Sequence, residues 1–293
     1  MAVLSGTIIH AISGFYYVEA AGFVYECRAK GAFRNKNLTP LVGDGVTAEV
    51  NGDKGVITAV AERKNFLRRP PVANIDRLFI LSSVARPRPN LFIIDKLSAF
   101  AVRHGIEPVI VFSKCDLDDA APYLSVYQKT PFPVVAVSAV TGEGTDRIAA
   151  LIEGSACAFA GNSGVGKSSL INRLLPGLDL ATNDISDKLG RGRHTTRSVR
   201  LYPCGTGFIM DTPGFSSFDL LGDTEKIRKE DLPDCFPEFS PFMEGCRFSV
   251  SCAHINDKGC AVRAAVEQGL IAPQRYDSYR QMYEEVKNLK SYQ

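Results

Sequence analysis

The run Gly161-Asn162-Ser163-Gly164-Val165-Gly166-Lys167-Ser168 fits G-x-x-x-x-G-K-[ST], a pattern whose glycines let a turn of backbone N–H groups wrap around a polyphosphate. The apolar run Ala156 to Ala160 precedes it and the helical pattern Ser169 to Leu175 follows. That is the strand, loop and helix order such a site needs, with the helix N-terminus adding a field that favours anions. In this geometry Lys167 reaches the β- and γ-phosphates, the Ser168 hydroxyl is a magnesium ligand, and Ser169 lies in the first helical turn beside the phosphates.

A second constellation lies upstream. Pro108 to Phe112 reads as a buried parallel strand, and it runs into Ser113-Lys114-Cys115-Asp116 where such a strand presents a ligand loop. A carboxylate at Asp116 accepts from both N1–H and the exocyclic amine of guanine, whereas adenine offers an acceptor at N1 and leaves it unpaired. The tetrapeptide resembles the N/T-K-x-D motif of GTPases, with the stem of Lys114 covering the base. Ser113 stands where Asn or Thr is usual, so a longer amide bridge between base loop and phosphate loop is expected to be missing. Val134 to Val137 then leads into Ser138-Ala139-Val140-Thr141-Gly142, which resembles the S-A-x-x-G loop whose backbone supports the guanine carbonyl. Either piece alone is compatible with an ordinary turn after a core strand. Together they reinforce one another, and both precede the phosphate loop, an order that defines a circular permutation.

After the phosphate loop come Gly207 to Met210, a strand, and Asp211-Thr212-Pro213-Gly214. Asp211 is expected to hold magnesium through water, and the Gly214 amide to sense the γ-phosphate. The intervening Gly190-Arg191-Gly192-Arg193-His194-Thr195-Thr196-Arg197 offers no apolar face to bury and reads as a switch, with Thr196 closing over the metal. A glutamine after D-x-x-G orients water in the Ras-like arrangement, but that position is Phe215, which cannot hydrogen-bond through its side chain. Slow unassisted turnover is expected, with His194 the nearest polar candidate to position water. The catalytic set is therefore Lys167, Thr196 and His194.

Cys246, Cys252, His254 and Cys260 form C-x5-C-x-H-x5-C. Four ligands of this softness suit a closed tetrahedral zinc site with no position for a catalytic water. Cys235 is a spare that can replace one of them, while Cys27, Cys115, Cys157 and Cys204 are isolated and read as small buried residues.

Three groups of elements must position these residues. Residues 1–66 carry short alternating segments, among them Phe15 to Glu19, Val46 to Val50 and a hairpin signal at Asn51-Gly52, which fit an OB-type β-barrel. There Arg28, Lys30, Arg34 and Lys36 occur with Phe33, a composition suited to RNA but equally to a solvated barrel loop. Arg68-Arg69-Pro70-Pro71 reads as a linker. Residues 67–221 alternate strand and helix, as an α/β domain with a mostly parallel sheet does. Residues 222–293 read as a mainly helical zinc-binding domain ending in an amphipathic helix around Tyr276 to Leu289. Lysine and arginine total 34 against 32 acidic residues, so net charge alone argues for no nucleic-acid partner. No apolar run spans a bilayer and the start lacks the basic region of a secretory signal, so a cytoplasmic protein without membrane contact is expected.

The ordered set of SKCD, SAVTG, GNSGVGKS, GRGRHTTR and DTPGF, between a barrel and a C-x5-C-x-H-x5-C domain, resembles the circularly permuted bacterial ribosome-assembly GTPases of the RsgA or YjeQ family over essentially the whole chain. The resemblance implies GTP hydrolysis to GDP, one structural zinc and magnesium. It further implies binding of the small (30S) ribosomal subunit through 16S rRNA, help in its late maturation, and hydrolysis stimulated by the subunit. A monomer is expected. Two other readings share these residues: a nucleotide-regulated RNA-binding scaffold with incidental hydrolysis, and a GTP-dependent RNA-modification or metal-delivery factor.

Overall fold

The computed structural model describes residues 2–31, 33, 38–68, 70–178, 199–211, 227–248 and 251–287. These fall into two compact units.

The first unit contains the barrel. Its strands are β1 (Ala2–Ile12), β2 (Phe15–Ala20), β3 (Phe23–Ala29), β4 (Gly45–Asn51) and β5 (Lys54–Val60). They pair in the order β1-β2-β3-β5-β4, and antiparallel β1–β4 pairing from Ala2↔Val50 to Thr7↔Gly45 closes the cylinder. Alternation drives this: Val46, Ala48 and Val50 turn inward while Glu49 and Asn51 face solvent. Bulges at Ile8/His10 and Thr47/Ala48 supply the local bend that closure needs.

Arg68 and Pro71, the ends of the expected linker, are strand residues, with Arg69 outside the described residues. Residues flanking it form a hairpin of β6 (Phe66–Arg68) and β7 (Pro71–Ala73), with Leu67 opposite Val72. Two asparagines order it by imitating strand partners. Asn65 donates to Ile75 O at 2.8 Å and accepts from Ile75 N, while Asn74 donates to Gly43 O at 2.9 Å and accepts from Lys64 N. Beside them Arg63 grips the fully buried Asp44 through Nε at 2.7 Å and Nη2 at 2.8 Å.

The sheet of the α/β domain is mostly parallel as expected, with one antiparallel strand in this unit. Here β11 (Ala156–Ala160) pairs in parallel with β13 (Gly207–Asp211), but β12 (Arg200–Cys204) is antiparallel to β13 and joins the barrel through His10↔Arg200 of β1. Both are therefore parts of one sheet.

In the second unit β8 (Arg77–Ser83), β9 (Glu107–Ser113) and β10 (Val134–Val137) lie in the order β10-β9-β8, with β9 and β10 parallel. Every residue of β9 after Glu107 is buried, as expected of a strand covered on both faces. The helices in chain order are α1 (Leu91–Arg103), α2 (Ala121–Tyr127), α3 (Thr145–Ile152), α4 (Lys167–Leu174), α5 (Ser240–Met243), α6 (Ala261–Glu267) and α7 (Pro273–Val286). Asn90 caps α1 by accepting from Ile93 N. A core of Leu232, Phe236, Phe239, Val262, Ile271 and Tyr279 packs around the C-terminal cysteines. Among the described residues no helix is long and apolar enough to cross a membrane.

Candidate nucleotide and metal sites

The phosphate loop leaves β11 and enters α4. A Cβ at Gly161 would lie 2.5 Å from Leu81 O, so only glycine permits this approach to β8. Gly166 caps α4 in the left-handed conformation at φ +93°. Val165 is buried and anchors the loop, while Ser163 and Gly164 are exposed and Asn162 and Ser168 are half-buried. Lys167 donates to the carbonyls of Gly161 and Asn162, and burial pushes its pKa below the usual lysine value. Its partners among the described residues are neutral carbonyls, so a polyphosphate would add a counter-charge there. Ser169 is exposed at the start of the helix.

The guanine-type loops end neighbouring strands and are joined by backbone, Cys115 N donating to Val137 O at 3.3 Å. Ser113 is buried at the end of β9, and its hydroxyl donates to Val165 O of the phosphate loop at 2.5 Å. The longer amide bridge is absent as expected, and a hydroxyl makes the link: the strand end comes close enough that no longer amide is required. Lys114 holds φ +62°, a conformation uncommon for a side chain of its size, and its Nζ donates to Gly164 O at 2.6 Å and Arg86 O at 2.7 Å. Asp116 is exposed and makes no hydrogen bond or ion pair among the described residues, leaving both carboxylate oxygens able to accept. Buried Ser138 closes the second loop, its Oγ accepting from Thr141 N at 3.2 Å and its carbonyl from Gly142 N at 2.9 Å. Ala139 is half-buried beside it.

The structure therefore brings Ser113, Lys114, Ser138 and the residues of 161–168 together at one end of the β8–β10 layer. Sequence reasoning missed the Arg86 carbonyl, a backbone contact with no residue signature. It also missed Arg173, whose Nη2 lies 2.5 Å from where a Cβ on Gly142 would sit. Asp211 ends β13, but its side chain lies outside the described residues, as do Gly214, Thr196 and His194. Arg34 and Lys36 lie outside them as well.

Cys246, Cys252, His254 and Cys260 converge with their ligand atoms all within 4.8 Å of one another, and all four are buried. A tetrahedral zinc with bonds of about 2.3 Å to sulfur and 2.0–2.1 Å to nitrogen requires S···S of about 3.8 Å and S···N of about 3.6 Å. The observed values are 3.9 Å for Cys246 to Cys260, and 3.6 and 3.5 Å from His254 Nδ1 to Cys246 and Cys260. Burial pushes the Cys252 thiol up to about 12 and raises Cys260, while it lowers His254. A buried, neutral imidazole among thiols that need a cation to ionise is a donor set suited to zinc. Around it Tyr276 donates to His254 O at 2.7 Å and Tyr279 to Ala253 O at 2.6 Å, fixing the ligand turn. Cys235 is not an alternative ligand: it lies in the core with its thiol donating to Asp231 O at 3.4 Å.

Comparison with known proteins places these sites in context. A family model described as RsgA GTPase matches residues 60–221, and one described as RsgA N-terminal domain matches residues 5–57. The chain is 43% identical over 289 residues to the small ribosomal subunit biogenesis GTPase RsgA of Caldanaerobacter subterraneus subsp. tengcongensis, covering 97% of this chain and 96% of the relative. It is 44% identical over 292 residues to the protein of that name from Geobacillus thermodenitrificans, covering 97% and 98%. Among solved structures, YjeQ from Thermotoga maritima superposes with a TM-score of 0.85 at 33% identity, covering 99% of this chain and all of that one. YloQ, a circularly permuted GTPase, superposes at 0.81 and 31% identity, covering 100% and 98%.

Proposed function

The chain belongs to the RsgA GTPase family, and from that premise we propose that it is a GTPase that binds the small ribosomal subunit and assists its late maturation, hydrolysing GTP to GDP and phosphate. The observation that carries the nucleotide chemistry is the double tie of Ser113 to Val165 O and Lys114 to Gly164 O, which sets base loop and phosphate loop at a fixed separation. The ribosomal role rests on the names of relatives matched over nearly their full lengths.

Each residue then has a task. Asp116 accepts from the guanine N1–H and amine, the Lys114 stem covers the base, and the Ser138 and Ala139 backbone supports the carbonyl. The amides of 161–168 hold the phosphates, Ser169 flanks them, and Lys167 compensates the charge that grows on the β–γ bridge as it breaks. Magnesium supplies further charge neutralisation when bound, with Ser168, Thr196 and, through water, Asp211 as its protein-side partners. His194 positions the attacking water, and the Gly214 amide reports the γ-phosphate. With Phe215 after D-x-x-G, turnover without a partner is slow.

Cys246, Cys252, His254 and Cys260 hold one zinc of structural type. On the barrel, a concavity lined by Phe15, Tyr16, Arg28 and Lys30 fits single-stranded 16S rRNA, with the Arg28 guanidinium 4.7 Å from the Phe15 ring centre. The role on ribosomal subunits is proposed for a cytoplasmic protein, and the acting species is proposed to be a monomer.

The test is small-subunit affinity in GDP and in a non-hydrolysable GTP analogue. Tighter binding with the analogue is the expected result; equal affinity in both states removes nucleotide control from the account.

A further inference from the structure

Helix α1 has two faces with two different neighbours. Ile93, Ile94 and Leu97 line a small cavity together with Gly161, Asn162 and Val165 of the phosphate loop. Asp95, Ala99 and Arg103, spaced by fours on the opposite face, meet the C-terminal module. Arg275 of α7, with no exposed surface, donates through Nη1 to Asp95 Oδ1 at 2.8 Å and Ser98 Oγ at 3.0 Å, and through Nε to Glu238 Oε1 at 2.7 Å. Its guanidinium carbon lies 4.6 Å from the Phe236 ring centre, and Tyr127 donates to Asp95 Oδ1 at 2.8 Å. Lys96 pairs with Glu285 at 2.7 Å and Arg103 with Asp231 at 3.3 Å, while Ala99 joins the core that contains Cys246, Cys252 and Cys260.

This grip is costly. Asp95 Oδ2, Glu238 Oε2 and Arg275 Nη2 are buried with no hydrogen-bond partner among the described residues, a desolvation penalty that an apolar contact would avoid. A network of that kind fixes position better than it adds stability. We infer that α1 is a shared wall through which Arg275, as a positioning residue, makes the C-terminal metal module part of the nucleotide site, so that zinc binding and guanine-nucleotide binding are thermodynamically coupled. The inference rests on the zinc reading above, and its chain of contacts runs from the Cys3His cluster through the Phe236 and Tyr279 core, Arg275 and α1 to the back of the phosphate loop.

Coupling is reciprocal, so the wild-type protein suffices for the decisive experiment. Zinc affinity is measured by competition with a chromophoric chelator, with and without saturating GDP, and GDP affinity is measured with a fluorescent analogue on zinc-loaded and chelator-stripped protein. The expected result is a shift of about fivefold or more in each, equal in the two directions. Affinities that agree within twofold overturn the coupling, and protein that holds no zinc at all overturns the metal reading as well. A triple variant, Asp95→Asn, Glu238→Gln and Arg275→Met, separates the route from the metal. It is expected to retain zinc and lose the reciprocal shift, whereas retention of the full shift removes Arg275 from the account. Should that variant fail to fold, the wild-type competition still decides.

Discussion

Removing the Ser113 hydroxyl tests the joint between the two nucleotide loops. In Ser113→Ala the buried strand end keeps its packing, since the lost group is a single oxygen, but Val165 O loses its donor at 2.5 Å. Leaving such an acceptor unpaired costs about 1–3 kcal/mol. If the cost falls on the loop geometry that nucleotide requires, GDP affinity drops by about 5- to 150-fold. Ser113→Thr keeps the hydroxyl and is expected to stay within about fivefold of wild type. The assay is equilibrium titration with a fluorescent GDP analogue, alongside thermal melting without nucleotide. Wild-type affinity in Ser113→Ala would refute the reasoning. So would a lower melting temperature with unchanged affinity, because the bond would then support the fold and not the site.

Lys167 is a half-buried cation with no anionic partner among the described residues, and desolvation lowers its pKa. A lowered lysine pKa means that the charged form opposes folding below that pKa and that the penalty fades as pH rises through it. Lys167→Met is therefore expected not to lower the melting temperature of nucleotide-free protein while removing most of the gain from saturating GDP; a drop without nucleotide contradicts this. Asp116→Asn is expected to weaken GDP by at least about tenfold and to improve xanthosine diphosphate relative to it, since an amide donates to the xanthine 2-oxo group. Unchanged base preference in nucleotide competition would remove Asp116 from the base site. Cys252→Ser is expected to drop zinc from one per chain toward zero by elemental analysis, whereas Cys235→Ser retains it; the reverse pattern would move the ligand set. His194→Ala is expected to abolish partner-stimulated turnover and leave partner binding intact, a split that kinetics and sedimentation read separately.

Contiguous patterns were the legible ones. The phosphate loop, SKCD and SAVTG each carry their chemistry within eight residues or fewer, and the barrel strands follow from alternation at positions such as Val46, Ala48 and Val50. The hairpin of β6 and β7 was not legible, because Arg68 to Pro71 has a linker's composition and the order comes from Asn65 and Asn74 side chains reaching backbone elsewhere. Nor was the antiparallel β12, whose partners are β13 and a barrel strand almost 190 residues earlier in the chain, beside which His10 Nδ1 lies 3.1 Å from Val199 O. The longer amide bridge is absent as expected, and the hydroxyl bond from Ser113 to Val165 O was not legible, because residue type sets reach but only the backbone sets the distance to be reached. Arg275 and Asp95 are 180 positions apart. Neither sits in a motif, and an arginine on an amphipathic helix reads as solvated until its neighbours are known.

GTP hydrolysis by this protein is expected to be weak alone and released by one partner. Turnover should be measured on the purified protein by itself and with purified small subunits, large subunits or free RNA. Strong stimulation by small subunits only is the expected result; equal, slow hydrolysis in every mixture would overturn the assembly-GTPase reading.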